Sequence, residues 1–381
     1  MKIIHLSDLH LGKRVNEFSM LEDQKYILTK IINVIDDEKP EAVIIAGDVY
    51  DRSNPPDAAV QLLDNFLCRL ASRKLQVFVI SGNHDSSEKI AFGSRLIDQS
   101  GVHMSRVYDG NVEPITLHDE HGDVNFYMLP FVKPINVRIA FPDAEIATYS
   151  DAVRYAVQQM NVDADARNII VTHQFVTGAT RSDSEEVSVG GSDNIDAGIF
   201  DDFDYVALGH IHGPQNIGSE RIRYCGTPLK YSFSEINHTK SVTVVELGEK
   251  GAMQVRTVPL IPRHDMREIR GKYADLVSKE NYEGTAVDDY LRVVLTDEED
   301  VMYALTKLRT VYPNIMKLEY DNTRTRSQGV VHSVHNMDEK SPMELFSALF
   351  EIQNGQDLSD EQKEYIESLI TEIWEGSNET N

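Results

Sequence analysis

An α/β fold, in which short buried strands alternate with amphipathic helices, is predicted for this 381-residue sequence by three observations. Five apolar runs, each too brief for a helix and rich in aliphatic and β-branched residues, are bounded by Gly, Ser, Asn or Asp. Longer stretches with apolar residues at helical spacing lie between several of them. Each run also stops at residues with an oxygen or nitrogen lone pair to donate. In sheets covered by helices on both faces, such residues collect where the carboxyl ends of the strands meet loops.

The first run, Lys2-Ile3-Ile4-His5-Leu6, precedes Asp8 and His10. A helix follows over residues 24–36, with Ile27, Leu28, Ile31, Ile32 and Ile35 on one face. The second run, Ala42-Val43-Ile44-Ile45, leads to Gly47-Asp48, and residues 58–71 form the next helix. Val77-Phe78-Val79-Ile80 then runs into Gly82-Asn83-His84-Asp85, and Ile169-Ile170-Val171 into His173. Residues 182–196 are polar, rich in Gly and Ser and without periodicity. They are expected to form an exposed loop, either plain surface or a contact at the active site or between copies of the chain. The last run, Tyr205-Val206-Ala207-Leu208, ends at Gly209-His210-Ile211-His212.

After Pro259 and Pro262 the pattern changes. Strands are expected at residues 267–273, Tyr290–Leu295 and Ile315–Tyr320, with helices at 274–279 and 301–311, enough for a small separate module. Arg263, Arg267, Arg270 and Lys272 lie near its entry and Arg324 and Arg326 near its exit. The final segment is helical. Ser341-Pro342-Met343-Glu344 places Ser at the N-cap, Pro at the first position and Glu at the third, and Ser359 with Gln362 repeats the capping-box spacing. Leu345, Phe346, Leu349 and Phe350, then Ile366, Leu369, Ile370, Ile373 and Trp374, make stripes that need either the body of the protein or a partner to cover them. The expected division is therefore 1–262, 263–335 and 336–381.

The donors at the strand ends are a mixed carboxylate, amide and imidazole set without thiolates, which suits manganese, iron or zinc in a catalytic site better than calcium or a structural zinc. Two divalent ions sharing one phosphate need a carboxylate that bridges them. Asp48 is the best bridging candidate. Asp8, His10 and His212 could complete one shell, and Asn83, His173 and His210 the other. His84 is then available as a proton or hydrogen-bond donor to a leaving oxygen, and Asp85 is expected to orient its ring. Manganese is the expected metal. His5 precedes its strand end and is expected to be packed rather than ligating; His103, His118, His121, His238, His264, His332 and His335 are expected on surface or loops.

In this order and spacing DLH, GD, GNHD, VTH and GHIH resemble the calcineurin-like metallophosphoesterases. HLSDLHLGK, SVGGSDNID and YCGTPLKYSFSE narrow the resemblance to the nuclease subunits of double-strand-break repair complexes, over residues 1 to about 370. The resemblance implies a two-sheet sandwich flanked by helices. It implies two metals on the positions matching Asp8, His10, Asp48, Asn83, His173, His210 and His212, with His84 touching the scissile phosphate. It further implies a manganese-dependent exonuclease on double-stranded DNA ends and endonuclease on single strands and hairpins, acting in repair, recombination and replication. The module after residue 262 would be a capping domain that positions DNA. The last helices would bind the coiled-coil base of an ATPase partner, and the chain would form a homodimer. A small-molecule phosphodiesterase or phosphomonoesterase on the same fold would leave cap and tail without a purpose, and a non-catalytic scaffold is opposed by the intact donor set.

Composition agrees with most of this. The two cysteines, Cys68 and Cys225, have no CxxC spacing, no apolar leader precedes the first strand, and no run reaches the ~18 residues of a membrane span, so a cytoplasmic protein is expected. No GxxxxGK[ST] occurs, so ATP use would belong to another polypeptide. The net charge of −25 fits DNA binding least well. Residues 338–381 carry 12 acidic against 2 basic side chains, so much of the excess lies away from the donor motifs. Weak DNA affinity of the chain alone is expected, with a partner supplying phosphate contacts.

Overall fold

The computed structural model describes residues 1–183, 185, 193–323, 325, 343–344, 346–347, 350 and 358–376, the last six of these by backbone alone. The chain divides into two compact units, one of Met1–Ile269, Lys279–Val293 and Leu305–Leu318, the other of Arg270–Ser278, Val294–Ala304 and Glu319–Asn381.

The first unit contains the two expected sheets. One is formed by β1 (Lys2–Leu6), β2 (Ala42–Ala46), β3 (Gln76–Ile80), β4 (Val102–Met104), β11 (Ser241–Leu247) and β12 (Met253–Pro259), in the order β12-β11-β1-β2-β3-β4. The other is formed by β5 (Ile115–Asp119), β6 (Gly122–Leu129), β7 (Arg167–His173), β8 (Tyr205–Gly209), β9 (Gln215–Ile217) and β10 (Ser219–Tyr224), in the order β9-β10-β8-β7-β6-β5. The strands that carry donor residues lie in the parallel part of each sheet: β1 with β2 and β2 with β3, then β7 with β8. Their carboxyl ends therefore point the same way within each sheet.

Alternation along the strands explains why the runs read as continuously apolar. Ile44 and Ala46 pack with Phe78, Phe126, Ile169, Val171 and Ala207 in the core between the sheets. Val43 and Ile45 turn to the opposite face, against Ile27, Leu28 and Ile31 of α1 (Leu21–Glu38) and Leu63 and Phe66 of α2 (Asp57–Ala71). Strands buried on both faces lose the polar half of the usual alternation. Phe78 and Phe126 stack across the sandwich, centroids 4.2 Å apart.

The ends of the sandwich are tied by Arg167 at the start of β7. Its guanidinium pairs with the Asp119 carboxylate at 2.5 and 3.1 Å and donates to the carbonyls of Gly122, Asp123 and Gly248. Arg167 holds the Asp119 carboxyl well below the usual carboxylate range. Both side chains are buried, so removing the carboxylate leaves a buried cation. Asp119→Asn is expected to cost about 3 kcal/mol at neutral pH. Because the folded pKa is depressed, that stability is present above the unfolded value of about 3.9 and is lost as pH falls through the folded one. Thermal unfolding of both proteins at pH 7 and in acid tests this: the gap in Tm should narrow as pH drops.

A three-stranded sheet runs in the order β13 (Met266–Gly271), β14 (Tyr290–Leu295), β15 (Ile315–Tyr320). Two of the three spans match the sequence expectation, and the first starts and ends slightly earlier. The helix expected over 301–311 is only Ala304–Leu308, its start held back by Tyr303, which has a left-handed φ of 54°. Arg267 and Arg270 are paired with Asp289 and Asp321, the former at 2.7 Å. Arg324, Arg326, His332 and His335 lie outside the described residues, as do Ser341, Pro342, Leu345 and Leu349. In the helix Asp360–Gly376 the expected capping box is present: Gln362 N–H donates to Ser359 Oγ and Ser359 N–H to Gln362 Oε1. Ile366, Leu369 and Ile370 are half-buried, and the side chains of Ile373 and Trp374 are not described. Among the described residues no helix is long and apolar enough to cross a membrane.

Candidate metal centre

The ends of five strands and the turns that follow them supply every donor, His173 as the last residue of β7. After β1 and β2 the chain folds back on itself, with Asp8 N–H bonded to Gly47 O and His10 N–H to Asp48 O. This pairing of two turns forces Asp8, His10 and Asp48 to φ of 51°, 44° and 45°, and His210 after β8 has φ 100°. Non-glycine residues pay roughly 1–3 kcal/mol each for such backbone, which persists where surrounding structure over-determines it and clusters at functional sites. The two sheets approach closely beneath these turns. A Cβ on Gly209 would lie 1.8 Å from Ala46 O and 2.6 Å from His173 Nδ1. Gly209→Ala thus collides with backbone that no rotamer change can relieve. A loss of about 3 kcal/mol or more is expected, seen as a Tm lower by roughly 6–12 °C, with divalent-metal binding weakened alongside.

Around Asp48 the donors fall into two groups. His10 Nε2 and His212 Nε2 are 3.1 Å apart, and Asp8, His10 and His212 have ligand atoms mutually within 4.8 Å. On the other side Asn83 Oδ1 lies 3.0 Å from both His173 Nε2 and His210 Nδ1. Asp48 Oδ2 stands between, 3.2 Å from His173 Nε2 and 3.7 Å from His10 Nε2. All seven sequence-selected donors are brought together, six of them buried and Asn83 half-buried.

Electrostatics show what this cluster wants. His173 Nδ1 bonds to Ala46 O, which turns Nε2 toward Asp48 and Asn83. Burial works against a charge on His173, but the Asp48 carboxylate overcomes it and raises the imidazole to about 9. Burial pushes His210 down to about 3, helped by His173, and lifts Asp8 to about 6. His210 Nε2 is buried without a hydrogen-bond partner among the described residues. Carboxylate, amide and imidazole atoms thus converge, with His173 kept charged by the Asp48 carboxylate and His210 kept neutral by burial. Divalent cations fit this donor set in charge and in ligand type.

His84 stands at the rim. Its Nε2 is 3.9 Å from Asp48 Oδ2, its Nδ1 is 3.2 Å from the main-chain oxygen of Asp51, and its backbone N–H donates to Asp48 Oδ1. The expectation that Asp85 orients this ring is corrected by the contacts. The Asp85 carboxylate accepts the backbone N–H groups of Val49, Tyr50 and Gly82, so it pins the turn after β2 to the turn after β3. Three amides claim its lone pairs, and the carbonyl of Asp51 meets the ring instead.

Other supporting residues escaped the sequence. Gln24 of α1 accepts from Gly12 N–H and donates to His10 O and the Tyr231 hydroxyl, and Tyr231 donates to Leu9 O, so the Asp8 to His10 turn is clamped from below. A polar residue on the apolar face of α1 was the available signal. Within the loop expected to be exposed, Glu185 and Asp193 are buried. Glu185 Oε1 accepts the His212 amide at 2.6 Å, and Asp193 pairs with Arg181, whose guanidinium lies on the Phe175 ring. The rest of that loop, Ser184 and residues 186–192, lies outside the described residues. His5 is buried against the Tyr205 hydroxyl, as expected of a packed residue. His103 sits in β4 stacked on Phe78, which departs from the surface or loop position expected, whereas His264 lies in a loop as expected and bonds Asp23.

Residues 1–214 match the family described as calcineurin-like phosphoesterase, and residues 262–354 match one described as type 5 capsule protein repressor C-terminal domain. The chain is similar to the SbcD component of the SbcCD nuclease of Staphylococcus epidermidis, 33% identical over 380 residues, covering 98% of this chain and 99% of that one. The corresponding SbcD component from Staphylococcus saprophyticus subsp. saprophyticus is likewise 33% identical, over 383 residues and the same shares. A solved dimetal phosphatase from Danio rerio is 12% identical with a TM-score of 0.41, covering 68% of this chain and 96% of that one.

Proposed function

The chain belongs to the calcineurin-like phosphoesterases and, within them, to the SbcD nucleases, and from that premise we propose how its residues divide the work. It is a metal-dependent hydrolase, the nuclease component of an SbcCD-type complex, with an SbcC partner and DNA as substrate. The observation that carries the assignment of residues is the convergence of six donors from four other strand ends on Asp48. Asp8, His10 and His212 would hold one ion and Asn83, His173 and His210 the other, with Asp48 placed to serve both. Manganese is the metal we assign, since a set of carboxylate, amide and imidazole suits it. Two ions bound there supply positive charge to the phosphodiester and acidity to the attacking water.

The protein's own groups do the rest. His84, held at Nδ1 by the Asp51 carbonyl, presents Nε2 to the leaving oxygen and delivers a proton or hydrogen bond to it. Gln24, Tyr231 and Asp85 keep the three turns in place. We assign residues 1–262 to the nuclease domain, 263–335 to a capping domain that positions DNA, and 336–381 to binding the coiled-coil ATPase. The match over residues 262–354 supports a distinct module there. Phe92 and Leu96, each more than four-fifths exposed, and Val60 offer apolar surface suited to a homodimer contact. Two free cysteines, one of them exposed, suit a cytoplasmic protein.

The test is cleavage of end-labelled duplex and hairpin DNA by the purified chain, with and without the ATPase partner, after chelation and manganese add-back. Double-strand exonuclease and hairpin endonuclease products that vanish with chelator and return with manganese are expected. Hydrolysis of bis-p-nitrophenyl phosphate without any DNA cutting, even with the partner, would sink the assignment.

A further inference from the structure

One buried ion pair is left unexplained by the seven donors and His84. Glu235 ends the short turn Phe233–Glu235, within the YCGTPLKYSFSE stretch for which the sequence offered a resemblance but no chemistry. It is fully buried, and Lys240 is 5% exposed. Burying such a pair is expensive, and an apolar pair of similar volume commonly serves stability as well or better. Its retention at this place calls for another reason.

The contacts supply one. Lys240 Nζ donates to Glu235 Oε2 at 2.5 Å, to Thr227 Oγ1 at 2.7 Å and to the main-chain oxygen of His212 at 2.9 Å. Those three bonds use all of its hydrogens. The other carboxylate oxygen, Glu235 Oε1, lies 3.4 Å from His212 Nδ1. One ion pair therefore grips His212 twice, at the carbonyl through Lys240 and at the ring through Glu235. On the far side of the same ring, Nε2 faces His10 Nε2.

We infer that Glu235, braced by Lys240, is a positioning residue that keeps the His212 proton on Nδ1 and aims the Nε2 lone pair into the metal centre. The inference rests on the assignment of His212 as a metal ligand. A carboxylate on the outer nitrogen of a ligating imidazole sets its tautomer and ring orientation and raises its basicity, and losing such a partner typically weakens metal affinity 10–100-fold. Glu235 touches neither DNA nor the reacting atoms in this scheme; it acts through His212. Lys240 satisfies the carboxylate oxygen that His212 does not use, so the buried charge is neutralised without competing for Nδ1.

The experiment is manganese titration by calorimetry of the full chain, stripped with chelator, in four forms: unaltered, His212→Ala, Glu235→Gln, and Glu235→Leu with Lys240→Met. The paired exchange removes both charges together and replaces them with apolar groups. The expected result is two ions bound by the unaltered chain, with affinity for one of them reduced 10–100-fold in the paired variant and the other ion unaffected. Glu235→Gln keeps an acceptor oxygen at Nδ1 and should lose less, while His212→Ala should lose most. Should the paired variant lack the folded circular-dichroism spectrum, Glu235→Gln alone decides, with a several-fold loss expected. Unchanged affinity in the folded Glu235 variants, beside a loss in His212→Ala, overturns the positioning role and leaves the ligand assignment standing. Unchanged affinity in His212→Ala overturns both.

Discussion

Asp48→Asn is expected to abolish cleavage of both hairpin DNA and bis-p-nitrophenyl phosphate, with kcat falling by at least about 10³, or roughly 4 kcal/mol of barrier. The substitution preserves volume, and asparagine tolerates the left-handed φ of 45° better than most residues. It also leaves an oxygen to accept the His84 backbone N–H, now 2.9 Å from Asp48 Oδ1. What it removes is the negative charge between the two donor groups, the carboxylate 3.2 Å from His173 and 3.7 Å from His10. Without that charge nothing holds two cations close together. The check is a thermal shift. At manganese one hundredfold above its Kd, binding stabilises the unaltered protein by about 2.7 kcal/mol, a Tm rise of roughly 5–11 °C for a unit of this size. Asp48→Asn should show little or none of it. A variant that still shifts and still cuts would remove Asp48 from the centre of the site.

His84→Gln should separate metal binding from chemistry. Its ring belongs to neither ligand set assigned above, though its ligand atom lies within 4.8 Å of those of His10 and Asp48, and it is tethered through Nδ1. Glutamine can keep a bond to the Asp51 carbonyl but cannot deliver a proton. Loss of a positioned acid typically costs 10²–10⁴-fold, and a drop of about that size in kcat is expected with the manganese thermal shift intact. The effect should shrink for an ester whose leaving group needs no protonation, so p-nitrophenolate esters should suffer less than DNA. Equal losses on both substrates would argue for a charge or shape role in place of proton delivery.

The residues that converge on Asp48 were legible because each closes a strand or closely follows one, and strands of this kind are recognisable from a few consecutive apolar residues. β14 and β15 were located to the residue from the same signal. The role of Asp85 was not, since adjacency in GNHD suggested a partnership with His84 that three amides from two turns pre-empt. Nor could spacing show that Gln24 reaches the His10 carbonyl, or that Glu235 lies beside His212. Most of these contacts join different elements, at separations in the chain that follow no period.

Local pattern was therefore sufficient for the class of fold, the strand ends and the side chains that gather around Asp48, because burial and backbone geometry act over a few neighbouring residues. Closure of the two sheets over Gly209 decided everything that depends on distance: which donors group together, which backbones are driven to positive φ, and which buried polar groups brace them. Those outcomes follow from packing between segments as far apart in the chain as His10 and His212, where each group must find a partner or be left unpaired in a low dielectric.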